Sequence, residues 1–95
     1  MAPAFKIKLL TESGAVLDDE AVSVVAPGEI GYLGVLHNHA PLVTTLQPGI
    51  FTWRRADGAT QQRRIGSGLL EIARNQLTVL TDRLSEPQEG SAQHG

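Results

Sequence analysis

The chain contains no cysteine. That excludes disulfide scaffolds and thiolate metal sites, and a reducing compartment would suit it. Aromatic residues are scarce: one Trp, one Tyr and two Phe in 95 residues. The interior must therefore draw mainly on Val, Leu, Ile and Ala. No apolar run approaches the length of a transmembrane helix. Met1-Ala2-Pro3-Ala4 leads straight into an alternating segment, so neither a signal peptide nor an N-myristoyl group is expected. A basic excess is also missing, with 8 Lys and Arg against 10 Asp and Glu. Proteins that hold nucleic acid or anionic lipid through a broad basic surface are not charged in this way. At this length one small domain is expected, without a cleft between domains.

Turn formers are plentiful, with ten glycines and five prolines. Between them the pattern has period two, as in strands. Phe5, Ile7 and Leu9 alternate with Lys6 and Lys8. Ser13-Gly14 marks a turn, Val16-Leu17 a short return strand, and Asp18-Asp19-Glu20 a solvated corner. Residues 21–26 are valine-rich and predict a second main strand that ends at Pro27-Gly28. Gly28, Gly31 and Gly34 preclude a helix and suit a bent strand or loop. Residues 42–46 read as a strand, and Pro48-Gly49 as a turn.

Asp57-Gly58 lies between two strand-like runs, which is a hairpin signal. A three-residue loop, Ala56 to Gly58, puts Phe51, Trp53 and Ile65 on one face. It leaves Arg55 and Arg63 needing places at the rim. Residues 68–81 read as strand, tight turn at Asn75-Gln76, and strand. From Ser85 to Gly95 there is no Leu, Ile, Val or aromatic residue, so a disordered polar tail is expected. The fold class is all-β: a two-sheet β-sandwich of about ten short strands over residues 1–84.

No motif supplies an obvious chemistry. His37-x-His39 would put both imidazoles on one side of an extended segment, as a metal site needs. No carboxylate follows within residues 40–48, and His94 falls in the tail. Gly66-Ser67-Gly68 lacks the strand-to-helix setting of a nucleophile elbow and reads as a flexible turn. The glycines of residues 28–34 lack the Lys-Ser/Thr of a phosphate loop. Arg54, Arg55, Arg63 and Arg64 cluster on one hairpin beside Phe51 and Trp53. They leave open a β-sandwich binding module for an acidic or nucleic-acid partner. A small metal-dependent enzyme built on His37 and His39 is the remaining alternative. Catalytic, cofactor-binding and metal residues are otherwise expected to be absent.

Five stretches together carry a resemblance. Gly28-Glu29-Ile30-Gly31-Tyr32-Leu33-Gly34-Val35 is followed by Asn38-His39-Ala40-Pro41-Leu42-Val43-Thr44. Then come Pro48-Gly49, Gly66-Ser67-Gly68-Leu69-Leu70-Glu71-Ile72 and Leu77-Thr78-Val79-Leu80. In this order and spacing the chain resembles the epsilon subunit family of F-type ATP synthases. Asn38 stands where the family often has glycine, and Asn tolerates a left-handed backbone. The resemblance implies a non-catalytic rotor subunit linking the gamma subunit to the c-ring. The implied form is short, with the sandwich alone and no C-terminal helical hairpin. It implies a c-ring contact at Gly28, Glu29, Ile30, Gly31, Tyr32 and Leu33, and a gamma contact at Thr11, His39, Ala40, Leu42 and Thr44. No cofactor and no nucleic acid are implied. The expected place is the cytoplasmic face of the bacterial inner membrane, reached through the complex. One copy per complex is expected, monomeric when isolated.

Overall fold

The computed structural model describes residues 3–86. Ten strands follow in order: β1 (Phe5–Thr11), β2 (Val16–Ala21), β3 (Ser23–Gly28), β4 (Gly31–Leu36), β5 (Leu42–Leu46), β6 (Gly49–Arg54), β7 (Thr60–Ile65), β8 (Gly68–Ala73), β9 (Gln76–Thr81) and β10 (Leu84–Ser85). They form two layers of one curled sheet. The first layer is β4-β3-β6-β7-β10, and the second is β5-β8-β9-β1-β2. A single residue pair, Gly28 with Leu46, joins β3 to β5. Beside it the Gln47 amide donates to the Pro27 carbonyl at 2.9 Å. The run from β5 into β6 thus passes beside β3 as it crosses from the second layer into the first, which makes the corner of the sandwich.

Local chemistry sets the hairpins. The Arg55 amide bonds to the Ala59 carbonyl at 2.8 Å, and Gly58 between them has φ of 92°. This is the expected three-residue loop, with a left-handed backbone where glycine has no Cβ to clash. Phe51 therefore lies opposite Arg63, and Gly49 opposite Ile65. At the β8–β9 turn Arg74 and Asn75 both have positive φ, 53° and 60°. A two-residue turn of this kind matches the right-handed twist of the flanking strands. The expected turn thus sits one residue earlier than Asn75-Gln76.

Alternate residues fill the space between the layers. Ile7, Leu9, Leu70, Ile72, Leu77 and Val79 come from the second layer, and Val24, Ala26, Val35, Phe51, Trp53 and Ile65 from the first. The two rings Phe51 and Trp53 pack at 5.8 Å between centroids. Despite their scarcity, three of the four aromatics (Phe5, Phe51 and Trp53) are in this core.

Four readings of the sequence need correction. Asp18-Asp19-Glu20 is not a solvated corner but the middle of β2, paired with Lys8, Ile7 and Lys6. The valine-rich run is split, since Ala21 closes β2 and β3 begins at Ser23. The Val22 amide between them bonds across to the Arg54 carbonyl at 2.7 Å. Gly66-Ser67-Gly68 is not loose. The buried Thr81 hydroxyl accepts from the Gly66 amide at 3.1 Å and donates to the Ser67 carbonyl at 3.0 Å. Ser85 opens no disordered tail, because it pairs with Arg64 in β10. Residues 87–95 of that expected tail lie outside the described residues.

One pairing has no local signature. β1 runs parallel to β9, Ile7 beside Leu77 and Thr11 beside Thr81. It brings the first strand next to the last long one and closes the second layer.

Candidate functional site

The loops gather at two ends. One end holds the β3–β4 turn, Gly28 to Gly31, with Thr11, Gln47 and Ser67 nearby in register. At this turn a Cβ on Gly28 would lie 2.6 Å from Leu33 Cδ2 and 2.8 Å from the Gly31 carbonyl. No larger side chain fits without moving the turn. The turn is braced from the corner strand. Thr45 donates its hydroxyl to Glu29, and Gln47 donates its side-chain amide to the carbonyls of Gly28 and Glu29. The Ile50 amide donates to the Tyr32 hydroxyl at 3.2 Å. Ile30, at the tip, is 101% exposed. The backbone is thus held by several polar contacts while an apolar side chain is left without cover. Glu29, Ile30, Gly31 and Tyr32 form the exposed tip, whereas Gly28 is buried and Leu33 packs against the core.

The residues of the second expected set do not converge in this way. Thr11 ends β1 and closes its own turn, its hydroxyl accepting from the Ala15 amide at 3.0 Å. His39 and Ala40 lie at the opposite end of the molecule, just before β5. There Asn38 has φ of 66°. The Asn38 amide donates to Asn75 Oδ1 at 2.6 Å, and Asn75 Nδ2 donates to Asn38 Oδ1 at 3.0 Å. Two left-handed asparagines thus clasp the loop after β4 to the β8–β9 turn. His39 is half-buried, with Nδ1 against the Ala40 carbonyl at 2.6 Å. Ala40 is exposed. Leu42 packs on the core, and Thr44, in the same inward series of β5, is half-buried. His37 sits in a turn and not on an extended segment, so the period-two argument for a shared direction with His39 fails. His37 shares a shallow pocket with Lys6, Arg74 and Asn75. Among the described residues no group of three His, Cys, Asp or Glu is placed to hold a metal ion.

The arginine hairpin divides between two uses. Arg55 Nε donates to Asp19 Oδ2 at 2.7 Å, and Trp53 Nε1 donates to the same oxygen at 2.9 Å. This knot ties β2 to β6 across the layers. Burial acts to raise the Asp19 carboxyl, but the Trp53, Arg55 and Glu20-amide hydrogen bonds and the Arg55 charge outweigh it, so its pKa falls below the ordinary 3.8. Arg63 lies over the Trp53 ring at 5.5 Å, with Glu86 at 3.6 Å. Arg54 and Arg64 remain on the outside.

The sequence reading missed the two outer faces. On the second layer Leu69, Leu80, Leu10 and Val16 lie side by side across four strands, three of them well exposed. On the first layer Val25, Tyr32 and Leu36 are 44%, 60% and 63% exposed. The signal was present in the second half of each alternation. Apolar residues occupied both phases of β1, β8 and β9.

The family model described as ATP synthase, Delta/Epsilon chain, beta-sandwich domain matches residues 4–87. The ATP synthase epsilon chain of Moorella thermoacetica is 41% identical over 86 residues, covering 90% of this chain and 64% of its own length. That of Dichelobacter nodosus is 33% identical over 89 residues, covering 94% and 62%. The chain therefore spans less than two thirds of the length of these curated relatives. The fold also matches a chain in the cryo-EM structure of the Euglena gracilis mitochondrial ATP synthase OSCP/F1/c-ring assembly, with TM-score 0.79 and 20% identity over 99% of this chain and 63% of that one. A chain of the Tetrahymena thermophila mitochondrial ATP synthase central stalk/c-ring matches with TM-score 0.69 and 14% identity over 85% and 65%. At those identities the likeness is one of fold, whereas the sequence match is one of descent. The braced sandwich built up above belongs to the ATP synthase delta/epsilon chain family.

Proposed function

We propose that the chain works as a non-catalytic rotor subunit of an F-type ATP synthase, fixing the gamma subunit to the c-ring. The observation that carries this reading is the β3–β4 tip. Its backbone is cross-braced, and Ile30 stands wholly exposed at its end. A part that transmits torque must not deform at its point of contact. Hydrogen bonds from two other strands give the tip that stiffness without a nucleophile or a metal. In this reading Glu29, Ile30, Gly31 and Tyr32 meet the ring, with Gly28 and Leu33 supporting them from within. Thr11, His39, Ala40, Leu42 and Thr44 serve the gamma side, Leu42 by supporting the surface from within. The subunit would be present once per complex. It would sit at the cytoplasmic face of the bacterial membrane, held there by its partners.

The test is recovery of rotor subunits with the tagged chain from detergent-solubilised membranes. Gamma and ring subunits should co-purify with the wild type. Ile30→Asp should lower ring recovery, and Ala40→Asp should lower gamma recovery, both with unchanged thermal unfolding. Co-purification of neither subunit with the wild type would refute the proposal. Leu42→Asp is a poor probe, because Leu42 packs on the core and its loss acts through folding.

A further inference from the structure

The two outer faces differ in how their charges are met. On the second layer Lys6 lies opposite Glu20 and Lys8 opposite Asp18, the latter pair 4.0 Å apart. That face answers most of its own charge. On the first layer the outward positions include Tyr32 and Leu36 of β4, Val25 of β3, Ile50 and Arg54 of β6, and Arg64 of β7. Among the described residues the strands of this face turn two arginines and no carboxylate outward; Asp82 lines a pocket with Arg64 at the edge of the layer. Arg54 lies opposite Ser23 and Thr60, and Arg64 opposite Ile50 and Ser85, so neither has an acid beside it in register. The arginines stand at opposite ends of β6 and β7, with uncharged side chains between them and Val25, Tyr32 and Leu36 exposed on the neighbouring strands.

We infer that the outer face of the first layer, centred on Val25 and Tyr32 and flanked by Arg54 and Arg64, docks a protein surface that is apolar in the middle and acidic at its margins. Tyr and Arg are the residue types that most often anchor such contacts, the ring excluding water and the guanidinium pairing with a carboxylate. A phosphate polymer is a poorer match. It would call for a run of cations along its length, and the net charge of the chain is −2. The face is continuous with Ile30 through β4, so its partner adjoins whatever the tip touches. The inference rests on the rotor reading for the identity of the complex and adds the chemistry of one surface to it.

The probe is the ATP synthase complex solubilised from membranes and depleted of its own epsilon chain. Binding of the wild-type chain should weaken as salt rises across about 0.05–0.5 M, the range in which the screening length shrinks to a few ångströms. The double variant Arg54→Glu, Arg64→Glu should lose about tenfold or more in affinity and most of that salt dependence. Replacing both arginines by lysine should retain much of the salt dependence. Both side chains are exposed, so thermal unfolding should stay near that of the wild type. If the glutamate variant rebinds like the wild type, the docking face is wrong and the rotor reading stands. If the wild type does not rebind, the rotor reading falls and this inference with it. Arginine-dependent binding to vesicles of anionic lipid or to a single-stranded oligonucleotide, in place of the complex, would overturn the assignment to a protein surface.

Discussion

The first and second layers share one interior but present opposite kinds of exterior. The second layer pairs lysines with carboxylates in register and lays a row of apolar side chains beside them. The first layer shows two arginines, a tyrosine and aliphatic groups, with no acid opposite either arginine in register among the described residues. In one, most charges lie opposite a charge of the other sign within the chain; in the other, among the described residues, neither arginine has an acid beside it in register. The lesson is that a sandwich can be symmetric in its packing and still be directional in its contacts. Stability is set between the layers, and recognition is set by what each layer turns outward.

Substitutions can break that separation at several levels. The largest effect should come from the shared interior. Phe51 is wholly buried against Trp53, and Phe51→Ala should cost about 3–5 kcal/mol in denaturant unfolding, enough to threaten both faces at once. Next comes the tie between layers. Asp19→Ala removes the acceptor of both Trp53 Nε1 and Arg55 Nε and should cost about 1–3 kcal/mol. The same carboxyl gives a pH signature. Its pKa is lowered on folding, so its contribution is full above the ordinary 3.8 and fades as pH falls through the lower folded value. Unfolding free energies measured between about pH 5 and pH 2 should fall less steeply in Asp19→Asn than in the wild type.

A smaller loss is expected at the asparagine clasp. Asn75→Ala removes both Asn38 contacts and the side chain suited to positive φ, and should cost about 1 kcal/mol by the same measurement. The smallest should be Lys8→Ala on the second outer face, within about 0.5 kcal/mol, since its pairing with Asp18 is exposed. A large loss there would show that the face is part of the stability after all.

Much of the fold was legible because the strand period is local. The alternation in β1, the three-residue loop at Ala56 to Gly58 and the burial of Phe51, Trp53 and Ile65 on one face all follow from neighbours in sequence. The bend at residues 28–34 could also be read, from the spacing of its glycines, whereas a contact tip at residues 28–33 was implied only by the resemblance. What stayed hidden depended on distant partners. Asp19 looked like one of three surface acids, and only Trp53 and Arg55, more than thirty residues away, give it its role. Arg63 needed a place, and the face of Trp53 supplies it. Thr11 and His39, grouped by the resemblance, turn out to sit at opposite ends of the strands.

The sequence by itself determined most of the strands and turns and which side of most strands is apolar, because pleat and turn geometry act over a few residues. Tertiary structure alone decided that β1 lies parallel to β9, that Gly28 and Leu46 hinge the two layers, and that Asp19 bonds to a tryptophan and an arginine. It also decided that Arg54 and Arg64 share a face whose strands, among the described residues, carry no carboxylate. These outcomes belong to residues far apart along the chain, whose meeting depends on how the layers close over a common core and not on the preference of any one segment.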